Sequence, residues 1–89
     1  MNKYLMVYGD NLGTREQIKS VLNGLPEVAH WRFDMPNSFY IYSDTTAKDL
    51  MDKIRTARGS AGRCVMVKMD QYYGWLPDKT WEFFKKNDE

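Results

Sequence analysis

Two segments of the chain carry apolar residues at the spacing of an α-helix. These apolar positions are Ile18, Val21, Leu22 and Leu25 in the first segment and Ala47, Leu50, Met51 and Ile54 in the second. Because residues three and four apart lie on the same side of a helix, each segment is predicted to bury one face. Two residue pairs with capping-box spacing predict where the helices begin. The pairs are Thr14 with Gln17 and Thr46 with Asp49.

Four short runs rich in β-branched and aromatic residues are predicted strands. They span residues 4–8, 28–33, 38–42 and 64–69. The order strand, helix, strand, strand, helix, strand is that of the split βαβ unit. It predicts an α+β fold of the ferredoxin-like type, with a four-stranded antiparallel sheet in the order 4-1-3-2. Residues 1–70 are expected to form this domain, and residues 71–89 an aromatic C-terminal segment that belongs to it.

The alternation of side chains along each strand assigns two faces to the sheet. The face toward the helices is predicted to carry Leu5, Val7, Phe39, Ile41, Val65, Val67 and Met69. The opposite face then carries Tyr4, Met6, Tyr8, His30, Arg32, Tyr40, Tyr42, Cys64, Met66 and Lys68. So many tyrosines and methionines make this second face too apolar to stay bare, and we expect something to cover it.

The C-terminal segment is the first candidate for that cover. Residues 71–84 are dense in aromatics and lead into a predicted helix of one to two turns, in which Trp81 and Phe84 can share a face. The segment either folds back over its own sheet or leaves the sheet to pair with a second copy. The predicted interface residues are Tyr4, Met6, Tyr8, His30, Arg32, Tyr40, Tyr42, Met66, Trp75 and Trp81.

Composition and charge exclude several classes of protein. The 89 residues allow a single core. The 13 basic and 12 acidic side chains give a net charge of +1, so no overall electrostatic field attracts the protein to nucleic acid or anionic lipid. One cysteine and one histidine cannot complete a four-ligand zinc site. A single cysteine cannot form an internal disulfide and fits a reducing compartment. No apolar run approaches the roughly 20 residues that cross a bilayer, so we expect a cytoplasmic protein without a membrane partner.

Few residues suggest chemistry. Asp10, just past the first strand, could hold Mg²⁺, although an Asp in a Gly/Asn-rich turn more often caps backbone amides. His30 has no identifiable partner, and Cys64 has no activating base near it in the sequence. The glycine-rich stretches at 9–13 and 59–62 match no phosphate-binding fingerprint. The sequence therefore contains no complete catalytic constellation and predicts no cofactor.

The chain resembles a group of small bacterial and phage proteins often labelled SinR-like, which look like relatives of the CRISPR adaptation endonuclease and the VapD toxin. The matching segments are residues 4–8 with Asp10, 38–41, 45–47 leading into 50–55, and the Gly-Trp-Leu-Pro stretch 74–77 with Trp81. The resemblance implies a ferredoxin-like homodimer. In the nuclease family it implies an Asp after the first strand of each subunit that positions Mg²⁺. Only Asp10 can take that part, and Gly9 shifts its register relative to the family.

Three functions follow from these observations. The first is a non-enzymatic, self-associating protein–protein interaction module of a mobile genetic element, with a homodimer as the basic unit and room for a heterologous protein partner. The second is a Mg²⁺-dependent endonuclease-like dimer that uses two copies of Asp10. The third is an RNA-binding sheet, with tyrosines of the central strands as stacking residues and Arg32 and Lys68 as phosphate contacts.

Overall fold

A computed structural model describes residues 1–88, which form four strands and three α-helices. The strands are β1 (Asn2–Tyr8), β2 (His30–Arg32), β3 (Ser38–Ser43) and β4 (Cys64–Lys68). The helices are α1 (Arg15–Gly24), α2 (Ala47–Ala57) and α3 (Asp78–Asn87), and a short 3-10 helix spans Asp10–Leu12. Glu89, the last residue of the predicted C-terminal segment, lies outside the described residues.

The predicted fold class and strand order are confirmed. The sheet has the order β2-β3-β1-β4, and every neighbouring pair is antiparallel. With α1 and α2 as the two connections that cross the sheet, the arrangement is of the ferredoxin-like type. Since β1 pairs with both β3 and β4, it lies inside the sheet, whereas β2 and β4 form the edges.

Both predicted helix starts are confirmed by side-chain caps. The Thr14 Oγ1 accepts a hydrogen bond from the Gln17 backbone N–H at 3.2 Å, and the Gln17 Oε1 accepts one from the Thr14 N–H at 2.9 Å, which completes a capping box. The Thr46 Oγ1 accepts from the Asp49 N–H at 3.2 Å in the same way. These caps satisfy backbone donors that have no partner inside a helix.

The predicted faces are correct for β2 and β3 but wrong for β1 and β4. The core under α1 and α2 contains Tyr4, Met6 and Tyr8 from β1, Phe39 and Ile41 from β3, and Ile18, Leu22, Leu50 and Ile54 from the helices, with Cys64 and Met66 of β4 packed against it. Direct cross-strand partners share a face, and Tyr4 lies opposite Ile41 as Met6 lies opposite Phe39. Leu5, Val7, Val65 and Val67 therefore lie on the second face.

The second face is covered in part by α3 of the same chain, as one of the two interpretations predicted. Phe84 lies edge-on to Tyr40 with ring centroids 4.9 Å apart, and Phe83 packs on Tyr42 at 5.5 Å. Arg32 Nε also donates to Thr80 Oγ1 at 2.9 Å. The helix is ten residues long, so it exceeds the predicted one to two turns.

A polar cluster, which we call the terminal latch, joins the end of α3 to β1 and β3, with two buried members on the strands and an exposed carboxylate at the end of the helix. It consists of Lys3, Tyr42 and Asp88. Lys3 Nζ lies 3.0 Å from both Asp88 carboxylate oxygens, and the Tyr42 hydroxyl donates to Asp88 Oδ1 at 2.6 Å. Burial raises the pKa of Asp88, but the Tyr42 and Lys3 hydrogen bonds and the Lys3 charge outweigh it, so the net pKa lies below its ordinary value.

Candidate interaction surface

The part of the second face that α3 leaves uncovered is apolar. Val7, Val65 and Val67, which we call the valine strip, are between 42% and 53% exposed. Val7 lies directly opposite Val65 on the neighbouring strand, and Val67 lies opposite Leu5, so these side chains form one continuous patch. The helices α1 and α2 cover the other side of the sheet, so these half-exposed valines form an apolar surface that another molecule can contact.

An aromatic groove adjoins the valine strip through Leu5. The groove is a pocket of about 290 Å³ between the sheet, the loop after β4 and α3. Leu5, Tyr40 and Met69 lie in its floor, and Trp75, Leu76 and Trp81 are among its other lining residues. Trp75 is 92% exposed, the highest value among the large apolar side chains of residues 1–88. A tryptophan in that position can contact another molecule with little rearrangement of the chain.

The outer edge of β4 is open to pairing. Hydrogen bonds from Gly9 N to Arg63 O at 2.9 Å and from Met69 N to Lys3 O at 2.7 Å mark the two ends of the β1–β4 ladder. Bonded and non-bonded pairs alternate in an antiparallel ladder, so Val65 and Val67 bond to β1. The intervening residues Cys64, Met66 and Lys68 direct their N–H and C=O groups outward. The strand contains no proline.

The structure distributes the predicted interface residues over three environments. Tyr4, Met6 and Tyr8 are buried in the helix-side core, and Met66 packs against that core, so their predicted position on the second face is wrong. Tyr40 and Tyr42 are on the second face but lie under α3, where Trp81 is half-buried beside Phe84. His30 and Trp75 are exposed, and Arg32 is bonded to Thr80. The four buried tyrosines are therefore not available as the stacking platform that RNA binding requires.

The valine strip was missed because its residues had been predicted to lie in the core. The signal that identifies it is the register between strands. Phe39 and Ile41 were placed correctly toward the helices, and pairing them with Met6 and Tyr4 would have turned the odd-numbered residues of β1 outward. The pairing of β1 with β4 then places Val65 and Val67 on the same side.

Asp10 lies in the 3-10 helix after β1 and is engaged with Asn37. The Asn37 Nδ2 donates to Asp10 Oδ1 and to the Tyr8 carbonyl oxygen, both at 2.9 Å. Arg63 lines the same shallow depression. Within residues 1–88, no three carboxylate, imidazole or thiol groups come together as metal ligands. The geometry around Asp10 is thus that of a turn held together by a side-chain amide.

The two glycine-rich stretches pack against each other. Gly62 has a φ of 89°, and a Cβ at this position would lie 2.4 Å from the Leu12 backbone nitrogen, so only glycine allows the close approach. The Arg58 Nε donates to the Leu12 carbonyl oxygen at 2.9 Å from the same side. Several backbone N–H groups of the two stretches, among them those of Gly9, Gly13 and Gly59, also donate to backbone carbonyl oxygens, so these donors are already used within the protein.

Cys64 is a poor nucleophile in this environment. Its Sγ lies 2.9 Å from the Sδ of Met51, on the helix side of the sheet. Burial raises the pKa of the thiol, although the Arg55 charge acts in the opposite direction. A thiol that stays protonated at neutral pH lacks the thiolate that reacts and binds metals.

In the described part of the chain, none of the helices has the length and apolar character needed to span a bilayer. Comparison of the chain with protein-family models, with curated proteins and with solved structures found no match. The function has to be inferred from the surface itself.

Proposed function

We propose that this chain is a non-enzymatic interaction module that self-associates through the valine strip and the aromatic groove. The observation that supports the proposal is the continuity of these two features on a face that α3 covers only in part. Monomeric proteins rarely keep contiguous apolar patches beyond a few hundred Å² uncovered. The resemblance to small SinR-like dimers points to the same partner, a second copy of the chain.

Trp75 is the residue that would contribute most to such an interface. It is 92% exposed, and an aromatic side chain of its class buries about 150–250 Å², worth roughly 4–6 kcal/mol at 25 cal/mol per Å². Association itself removes translational and rotational freedom at a cost of about 4–15 kcal/mol, so the tryptophan needs the valines as well. With a net charge of only +1, two copies meet without strong mutual repulsion.

Sedimentation equilibrium over the micromolar range tests the proposal. The unmodified chain is expected to dimerise, and Trp75→Ala is expected to weaken the dimer by at least tenfold, because it removes the most exposed apolar side chain of the surface. Thr56→Ala is the matched control, since Thr56 is exposed on α2 on the other side of the sheet. A monomer at every concentration would refute self-association, and equal effects of the two substitutions would exclude the groove.

A further inference from the structure

The two edges of the sheet differ in how well they are protected against a further strand. The β2 edge has only three residues, and Arg32 within it is bonded to Thr80 of α3. The β4 edge has five residues and carries no proline, and Lys68, at its very end, is the one charged side chain in the strand. Natural proteins usually block such an edge with a very short strand, proline, a bulge or charged side chains such as lysine, and on β4 only Lys68 at the end of the strand is of this kind. The open edge of β4 can therefore pair with a strand from another molecule.

We propose that two copies of the chain pair antiparallel through their β4 strands, with Met66 of one copy opposite Met66 of the other. This inference rests on the proposed self-association and specifies its geometry. The outward-directed residues Cys64, Met66 and Lys68 are the ones that can bond across the edge. All three find a partner in one register only, in which Cys64 faces Lys68 of the second copy. Each such pair exchanges two backbone hydrogen bonds, so the pairing forms six and joins the two sheets into one of eight strands.

The same register brings the two valine strips together. Residues between bonded pairs face each other as non-bonded pairs with Cα atoms about 4.5 Å apart. Val65 therefore lies opposite Val67 of the second copy, and Val67 opposite Val65. All four side chains lie on the second face, where each is about half exposed in the single chain. Cross-strand pairs of β-branched residues stabilise a sheet, so the exposed valines bury one another.

The charges at the ends of the strand agree with this pairing. Arg63 and Asp70 flank β4 on opposite ends, and antiparallel pairing brings the Arg63 end of one copy beside the Asp70 end of the other. Lys68 lies opposite the neutral Cys64, so no like charges face each other across the two-fold axis. Parallel pairing would instead place Arg63 beside Arg63 and Lys68 beside Lys68, which is unfavourable.

Disulfide formation between single-cysteine chains tests the register. In a Cys64→Ser background, a Val65→Cys chain and a Val67→Cys chain are oxidised separately and as an equal mixture. The proposed register brings these two positions about 4.5 Å apart across the axis, within the range of a disulfide. Identical positions lie about 7–8 Å apart on the diagonal, beyond that range. Covalent dimers are therefore expected in the mixture and in neither chain alone, and covalent dimers in either chain alone would overturn the register.

Sedimentation of Lys68→Pro separates this inference from the proposed function. The proline removes an outward N–H and places its ring at the edge, so dimerisation is expected to weaken by about tenfold or more. Lys68→Ala, which removes the same side chain but keeps the N–H, is the matched variant, and Lys68→Pro is expected to weaken dimerisation clearly more than Lys68→Ala does. If the unmodified chain dimerises but Lys68→Pro dimerises equally well and the cysteine mixture stays uncrosslinked, the self-association stands and the β4 pairing fails. A monomeric unmodified chain refutes both.

Discussion

Phe84 is the side chain on which the docking of α3 depends most, and its truncation predicts a large loss of stability. The ring is 2% exposed and lies between Tyr40 of the sheet, at 4.9 Å, and Trp81 of its own helix, at 5.7 Å. The Lys3 ammonium lies 4.6 Å from its centroid. Phe84→Ala removes all three contacts and leaves a cavity over β3.

The expected magnitude follows from these contacts. Phenylalanine to alanine in a core lowers the free energy of unfolding by about 3–5 kcal/mol. The edge-on contact with Tyr40 and the Lys3 ammonium each contribute about 0.5–1.5 kcal/mol within that range. If α3 detaches from the sheet in the variant, the loss cannot exceed the free energy with which the helix docks. We therefore expect about 3 kcal/mol, at the lower end.

Urea denaturation with Glu82→Ala as the control measures this loss. Glu82 is exposed on the same helix, and alanine there preserves helix propensity. If α3 detaches from the folded variant, the dependence of the unfolding free energy on urea concentration also decreases, because less surface is exposed on unfolding. A Phe84→Ala chain within about 0.5 kcal/mol of the control, with the same urea dependence, would show that α3 contributes no packing energy.

Three further outcomes are expected. The pKa of Asp88 lies below its ordinary value in the folded chain. The ionised carboxylate therefore stabilises the fold above the ordinary carboxyl pKa, and this stabilisation is lost as the pH falls through the pKa of the folded state. On acidification, the urea midpoint should fall less in Asp88→Asn than in the unmodified chain. If β4 strands pair, hydrogen exchange at the outward Met66 amide should slow as protein concentration rises, whereas the Val67 amide, already bonded to β1, should not change. Asn37→Ala should lower the free energy of unfolding by about 1–3 kcal/mol in urea titrations, because Asn37 has a φ of 58° and bonds both Asp10 and the Tyr8 carbonyl; an unchanged midpoint would contradict this.

Local signals in the sequence determined the parts of the fold that were predicted correctly. The capping pairs at Thr14 and Thr46 depend on residues three positions apart, and the strand order follows from the handedness of short connections. The length of α3 was underestimated, because the helix begins directly after Pro77 and continues beyond the aromatic residues to Asn87. Trp81 and Phe84 differ in burial, since Phe84 is enclosed while Trp81 is half-buried at the rim of the groove.

The faces of β1 could not be read from alternation, because this strand is apolar on both sides. Tyr4, Met6 and Tyr8 alternate with Leu5 and Val7, so either set could have formed the core. Tertiary contacts determine which set faces the helices, since the Tyr4 hydroxyl donates a hydrogen bond to the Thr45 carbonyl oxygen at 2.7 Å beneath α2. The valine strip was hidden by the same ambiguity, whereas three lining residues of the aromatic groove, Tyr40, Trp75 and Trp81, were predicted from the sequence as interface residues.

The burial of β3 on both faces has a consequence for solubility. All six residues of Ser38–Ser43 are buried, and the segment carries no charge, proline or glycine. Uncharged segments of six residues with high β-propensity are those that assemble into fibrils when exposed. Here α3 covers the Tyr40 and Tyr42 side of the segment. A chain that loses this helix, by proteolysis or truncation, is therefore expected to aggregate into β-rich fibrils instead of persisting as a less stable monomer.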